Sequence, residues 1–328
     1  MQTVTSLDGG QGVRLVEIGP ERDGQRVDNA LITLCKGIPR SLVYRILRTG
    51  QVRINGKRAK PETRLVLGDR VRIPPVRLDE KPVMAQPSNS LQSFITGSIL
   101  HEDAELLIIN KPAGVAVHGG SGLAFGVIEA LRAARPDLPE LELAHRLDRD
   151  TSGVLLIAKR RSALRELHSA LREREMTKRY LALVGGRWEL GKKKIDLPLL
   201  TNQKQGGERM VRVHPDGQSA LSTFVPQQHF GKLATLMAIE IGTGRTHQIR
   251  VHAAYAGHPV AGDEKYGDKV TDEALRSVGL RRMFLHAHSL EFTHPGTGKR
   301  FSIEAPLSEE LTTVLTNLQQ TAGKKSGR

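Results

Sequence analysis

The chain has 328 residues, enough for about two domains and a sizeable core. One cysteine excludes an intrachain disulfide, no apolar run approaches membrane-spanning length, and an aromatic content of 4% argues against extended base-stacking platforms. A net charge of +14 and a pI near 10.1 point to an anionic partner.

In chain order, residues 1–20 read as a loosely ordered arm. Its start lacks the basic and apolar regions of a signal peptide. With Cys35 set among apolar neighbours, the chain suits a reducing, cytoplasmic setting. Charge is concentrated next. Glu21 to Pro75 holds thirteen Lys/Arg against five Asp/Glu, a net +8, which favours a nucleic-acid footprint over a uniform bias. Val27, Leu31 and Leu34 recur at helical spacing, and a second helix is predicted from Ser41 through Leu42, Ile46 and Leu47 to a stop at Gly50. Arg45 and Arg48 lie three apart and share a face. Asn55-Gly56 between strand-like residues predicts a hairpin that presents Arg53, Lys57 and Arg58. Together with Arg40, these cations form a phosphate-contacting surface that positions RNA but does not read its sequence.

Residues 77–96, with Pro82, Pro87, Ser88, Asn89 and Ser90, read as a linker. A larger domain follows over 97–312, and 313–328 reads as a basic tail. Within the larger domain, Ile108 to Gly114 is an apolar strand running into a turn. His145-Arg146-Leu147-Asp148-Arg149-Asp150-Thr151-Ser152-Gly153 precedes the apolar strand Val154–Ala158. It sets a carboxylate, Asp148, between two arginines at the mouth of a strand, the makings of a charged reaction centre. Lys178–Val184 alternates like a strand, with Tyr180 near its start. Gly242 to His252 is Gly-punctuated and basic, and Leu285 to His288 is strand-like. Each segment alone is a weak signal.

Together, in this order, the segments over about 97–310 resemble the RluA-type pseudouridine synthases, and among them most the enzymes of large-subunit ribosomal RNA. Residues 22–76 resemble the S4 RNA-binding domain, including the Arg26-Val27-Asp28 start and Gly68-Asp69 before Val71-Arg72-Ile73. The expected fold is α/β (α+β): a small S4-like domain over 21–76, then a catalytic domain with a mixed, largely antiparallel sheet. The resemblance implies isomerisation of specific uridines in 23S rRNA to pseudouridine. It makes Asp148 the catalytic carboxylate, Arg245 its guanidinium partner, and Tyr180 the ring that stacks on uracil and acts at C5. It gives Arg146 the space vacated by the flipped base, and Ile249 and Leu285 the pocket walls.

The reaction exchanges a C1′–N1 bond for C1′–C5 without redox, so no cofactor is expected. No metal is expected either, because His247, His252, His286 and His288 lack zincin spacing and the chain has one cysteine. The expected partner is RNA, 23S rRNA first, with no membrane and a monomeric chain. Two alternatives stay open: a synthase of tRNA or other rRNA sites, and a catalytically inert ribosome-assembly factor. An intact Asp148, Tyr180 and Arg245 set argues against the inert factor.

Overall fold

The structure, a computed structural model, describes residues 12–35, 38, 40–75, 86–120, 125–205 and 208–325. It divides into two units, residues 1–85 and 86–328.

The first unit runs β1 (Arg14–Glu17), α1 (Val27–Leu34), α2 (Arg40–Arg48), β2 (Arg53–Ile54), β3 (Lys57–Arg58) and β4 (Arg70–Ile73). Its antiparallel sheet has the order β1-β4-β2-β3. Val27 and Leu31 of α1, Val43, Ile46 and Leu47 of α2, and Val71 and Ile73 of β4 share one core. Because α2 is amphipathic, burying that stripe leaves Arg45 and Arg48 exposed. The hairpin forms at Asn55 (φ 50°) and Gly56 (φ 80°), the positive-φ pair that a two-residue turn requires. Asn55 also ties the turn to β4: its Nδ2 donates to Asp69 Oδ1 at 2.8 Å and its Oδ1 accepts from the Arg70 amide at 2.8 Å. The expected arm, residues 1–20, needs correcting. Arg14–Glu17 is a strand paired with β4 in the register Arg14 to Ile73, while residues 1–11 lie outside the described residues.

The second unit runs α3 (Asn89–Thr96), β5 (Ile99–Glu102), β6 (Leu106–Lys111), α4 (Val127–Ala134), β7 (Glu142–Leu143), β8 (Ser152–Ala158), α5 (Arg161–Arg172), β9 (Thr177–Gly185) and β10 (Lys193–Asp196). It continues with β11 (Leu199–Gln205), β12 (Glu208–Val213), β13 (Leu221–Phe230), β14 (Ala234–Ile241), α6 (Gln248–Tyr255), α7 (Lys269–Arg276), β15 (Leu285–Thr293), β16 (Arg300–Glu304) and α8 (Glu309–Lys325). The main sheet has the order β10-β13-β14-β9-β15-β8-β6-β5, with β7 on β8 and β16 on β15. Its described pairs are antiparallel except β8 with β15. The sheet is therefore mixed and largely antiparallel. β11 and β12 form a separate hairpin.

Every residue of β8 is buried, because helices cover both of its faces. Leu155 and Ile157 face the α3 and α4 side with Ile95 and Leu131, while Val154 and Leu156 face α5 with Ala163 and Leu167. The parallel junction spans only Ser152–His286 and Gly153–Ala287. Gly153 (φ 112°) has no room for a side chain, since a Cβ there would meet the Ala287 carbonyl oxygen at 2.2 Å.

Two further expectations change here. The supposed linker, 77–96, ends in α3. Ser88 caps that helix by accepting from the Leu91 amide at 3.2 Å, and Ile95 is fully buried. Ser and Asn suit helix N-termini as well as linkers, and burial of one apolar face decides between the two. Residues 76–85 lie outside the described residues. The supposed basic tail, 313–328, is helical through Lys325, with Val314 and Leu318 in the core beside Leu275 and Phe284. Among the described residues, no helix is long and apolar enough to cross a membrane.

Candidate active site

Asp148 sits in the turn that leads into β8. Leu147 before it is buried in the core, and the Asp148 side chain remains 20% exposed. The turn is stapled to the end of β6. Lys111, fully buried, donates from Nζ to the carbonyls of Pro112 (2.7 Å), Val115 (2.8 Å) and Arg149 (2.9 Å). The Gly114 amide donates to the same Arg149 carbonyl at 2.9 Å. Burial pushes the Lys111 ammonium down to about 7, against the opposing pull of Asp150 and Asp148.

The two neighbouring arginines do not hold Asp148. Arg149 pairs with Asp150 at 3.1 Å, and Arg146 is exposed, with no hydrogen bond or ion pair among the described residues. Arg245, the expected partner, is exposed as well and donates from Nε to the Ser219 carbonyl at 3.1 Å. Its assignment is corrected: the guanidinium on Asp148 belongs to Arg250, whose Nη1 lies 3.2 Å from Oδ2. The reason is local geometry. The turn before α6 leaves Arg245 outside, and one helical turn carries Arg250 inward. Gln248 secures that turn by donating to the Leu221 carbonyl and accepting from the Thr243 hydroxyl.

Arg250 is itself clamped by Asp263, with Nε to Oδ2 and Nη2 to Oδ1 both at 2.7 Å. Burial raises the Asp263 carboxyl, but the Arg250 hydrogen bonds and charge more than offset it, so its pKa lies below the ordinary value. Burial likewise lowers Arg250, and Asp263 and then Asp148 reverse that and raise it. The Arg250 guanidinium lies 5.2 Å over the ring of Tyr266. His247 Nε2 also approaches Asp148 Oδ2, at 3.8 Å.

Tyr180 lies on β9 between Ile239 of β14 and Ala287 of β15. Desolvation of its hydroxyl, followed by the Asp148 charge, pushes its pKa well above the ordinary value. Ile249 and Leu285 pack with Tyr180 in one cluster. The structure thus gathers Asp148 and Tyr180, with Ile249 and Leu285 as an apolar wall, and leaves Arg245 outside. Sequence reasoning placed Arg250 only within the basic Gly242 to His252 segment and overlooked Asp263, Lys111 and Tyr266. The signal for Arg250 was its place in the same basic motif as Arg245.

The remaining histidines have structural partners. His252 bonds Ser222 and the Leu197 carbonyl, and His286 bonds Ser152 and the Ala305 carbonyl. Among the described residues one set, His101, Asp103 and His294, brings three metal-type ligand atoms within 4.8 Å. Both rings hydrogen-bond Asp103 Oδ2 at 2.8 Å, and Phe301 packs beside them.

In the first unit, Asp28 is buried and salt-bridged to Arg26, so the Arg-Val-Asp start is structural. Arg45, Arg48, Arg53, Lys57 and Arg58 are exposed, and Arg58 also donates to the Arg48 carbonyl. The Arg40 side chain lies outside the described residues.

A basic module joined to a carboxylate–guanidinium centre describes an RNA-modifying enzyme, and comparison with known proteins makes this specific. Residues 105–255 match the RNA pseudouridylate synthase family and residues 25–71 the S4 domain. The chain is 54% identical over 310 residues to "Ribosomal large subunit pseudouridine synthase C" of Escherichia coli (strain K12), covering 94% of this chain and 97% of that one. It is 53% identical over 313 residues to the protein of the same name from Salmonella typhi, covering 94% and 98%. Among solved structures, human RNA Pseudouridylate Synthase Domain Containing 4 is similar with a TM-score of 0.59 at 25% identity, over 70% of this chain and 96% of that one. The chain belongs to the RNA pseudouridylate synthase family and carries an S4 domain.

Proposed function

We propose that this protein isomerises specific uridines of 23S rRNA to pseudouridine, with Asp148 as the catalytic carboxylate. The observation that carries the reading is the partly exposed Asp148, paired with Arg250 and lying beside Tyr180 and an apolar wall. The relatives' printed name, pseudouridine synthase of the large ribosomal subunit, supports the substrate. When C1′–N1 breaks, the sugar carbon becomes electron-poor, and a fixed carboxylate beside it serves as nucleophile or base. Arg250, immobilised by Asp263, orients that carboxylate in advance. Tyr180, whose phenol stays protonated at neutral pH, offers its ring face to the uracil. Ile249 and Leu285 exclude water behind it. Arg146, exposed next to Asp148, fills the stack left by the flipped base. Arg45, Arg48, Arg53, Lys57 and Arg58 hold phosphates, with Arg40 at the head of α2. The chemistry needs no cofactor, and the protein works as a monomer in the reducing cytoplasm that a single cysteine suits.

The test is pseudouridine mapping of 23S rRNA and tRNA with and without the gene, and with the gene as Asp148→Asn. A specific set of pseudouridines in 23S rRNA should vanish in both deficient strains, while RNA affinity of the variant stays within a few-fold. Modification by Asp148→Asn would overturn the catalytic assignment, and losses confined to tRNA would overturn the substrate.

A further inference from the structure

His247 stands at the head of α6 with φ 53° and ψ 20°, a left-handed conformation uncommon outside glycine, although histidine, like asparagine and aspartate, enters it more readily than other side chains. A non-glycine residue held this way beside a reactive carboxylate is a place to look for function. Its ring is clasped from behind. Nδ1 lies 2.8 Å from the Tyr266 hydroxyl, and that hydroxyl accepts the Val211 amide of β12 at 2.9 Å. The Asp148 carboxylate facing Nε2 favours the neutral tautomer protonated there, and the Tyr266 hydroxyl, whose oxygen already accepts the Val211 amide, then donates to Nδ1. The ring proton of neutral His247 is then on Nε2, the atom 3.8 Å from Asp148 Oδ2. Burial holds the His247 pKa below the ordinary value, in keeping with a neutral ring.

From this geometry we infer that His247 is a positioning residue for Asp148, locked by Tyr266 so that its Nε2–H is a second donor onto Oδ2 beside Arg250. Two donors on one oxygen fix the rotation of the carboxylate about its Cβ–Cγ bond. The separation of 3.8 Å exceeds a hydrogen bond, and such contacts tighten when substrate enters. Because the clasp ends on Val211, β12 of the separate β11–β12 hairpin helps hold the carboxylate's orientation. The inference rests on Asp148 being the catalytic carboxylate.

Two amides separate this role from a structural one. His247→Gln places an N–H near the Nε2 position but suits the left-handed backbone poorly. His247→Asn suits that backbone and can still meet Tyr266, but its amide is too short to reach Asp148. The probe is a 23S rRNA transcript carrying 5-tritiated uridine, whose C5 tritium is released on isomerisation, assayed under single turnover at saturating enzyme. His247→Asn should turn over about ten- to hundredfold more slowly than wild type, the rate equivalent of one hydrogen bond to a charged group, with RNA affinity unchanged. His247→Gln should recover most of that loss despite lower thermal stability. Tyr266→Phe should slow the wild type but add nothing in the His247→Asn background, where no donor remains to be aimed. Rates that follow stability, with Asn above Gln, would overturn the inference, as would wild-type rates in both variants. Asp148→Asn run alongside keeps the premise separate, since tritium release by that variant would remove Asp148 from the chemistry whatever His247 does.

Discussion

Asp148 takes its guanidinium from 102 residues downstream, and that residue is itself gripped by Asp263. Arg250→Lys loses the two-pronged bond to Asp263 and the reach to Asp148. Turnover at saturating RNA should fall about ten- to hundredfold, with affinity changed little. Arg245→Ala removes an exposed side chain away from Asp148, so saturating turnover should stay within about threefold. Equal losses in the two variants would restore Arg245 to the site. Lys111 makes a different prediction. The unfolded lysine keeps its proton up to about 10.5, whereas the folded one releases it near 7. Between those values the unfolded state binds more protons, so rising pH stabilises the fold, by on the order of 1 kcal/mol per pH unit. Lys111→Met lacks this contribution. Denaturant unfolding of both proteins from pH 7 to 10 should show wild-type stability rising relative to the variant, and a constant difference would contradict a buried, depressed lysine.

At the scale of elements, the junction between β8 and β15 holds the site together. Asp148 enters from the head of β8, Tyr180 lies on β9 across from Ala287 of β15, and the two halves of the sheet meet in parallel at Gly153. Gly153→Ala would drive a Cβ into the Ala287 carbonyl from a backbone angle that disfavours side chains. The variant should lose about 2–4 kcal/mol of stability and most of its turnover, read by denaturant melts and tritium release. A stable, active Gly153→Ala would mean that the strands separate there without cost. The α2 helix and its hairpin work more simply. Packing fixes which side of α2 is apolar, and its cations take the other side.

The whole molecule comprises two units with separate cores, and the proposed function gives RNA affinity to the first and turnover to the second. Deleting residues 1–85 removes the S4 domain and leaves the Asp148 site. Affinity for a long rRNA fragment should fall, and the slope of log affinity against log salt should lessen by about 3–4, as four or five phosphate contacts are lost. Turnover at saturating RNA should fall less than affinity. An unchanged slope would deny the first unit its electrostatic part, and normal binding without turnover would show that it takes part in catalysis.

Patterns local in the chain were legible in the sequence: the two S4 helices, the Asn55-Gly56 hairpin, the apolar strand that follows Asp148, and the family resemblance carried by the nine-residue string around it. Helical and strand periodicity, turn chemistry and charge density depend on neighbours a few residues apart, so one dimension suffices for them. The same residue types misled wherever burial decides, as in α3, where Ser88 and Asn89 start a helix, and in α8, where Val314 and Leu318 complete a core. The partner of Asp148 was beyond reach for a further reason. Arg245 and Arg250 share one basic motif, and only the turn before α6 determines which guanidinium faces inward. That direction depends on Gln248 bonded to β13, on Asp263 receiving Arg250, and on Tyr266 beneath it. These contacts join segments distant in the chain, and they exist only once the sheet has closed, which is why tertiary structure alone decided them.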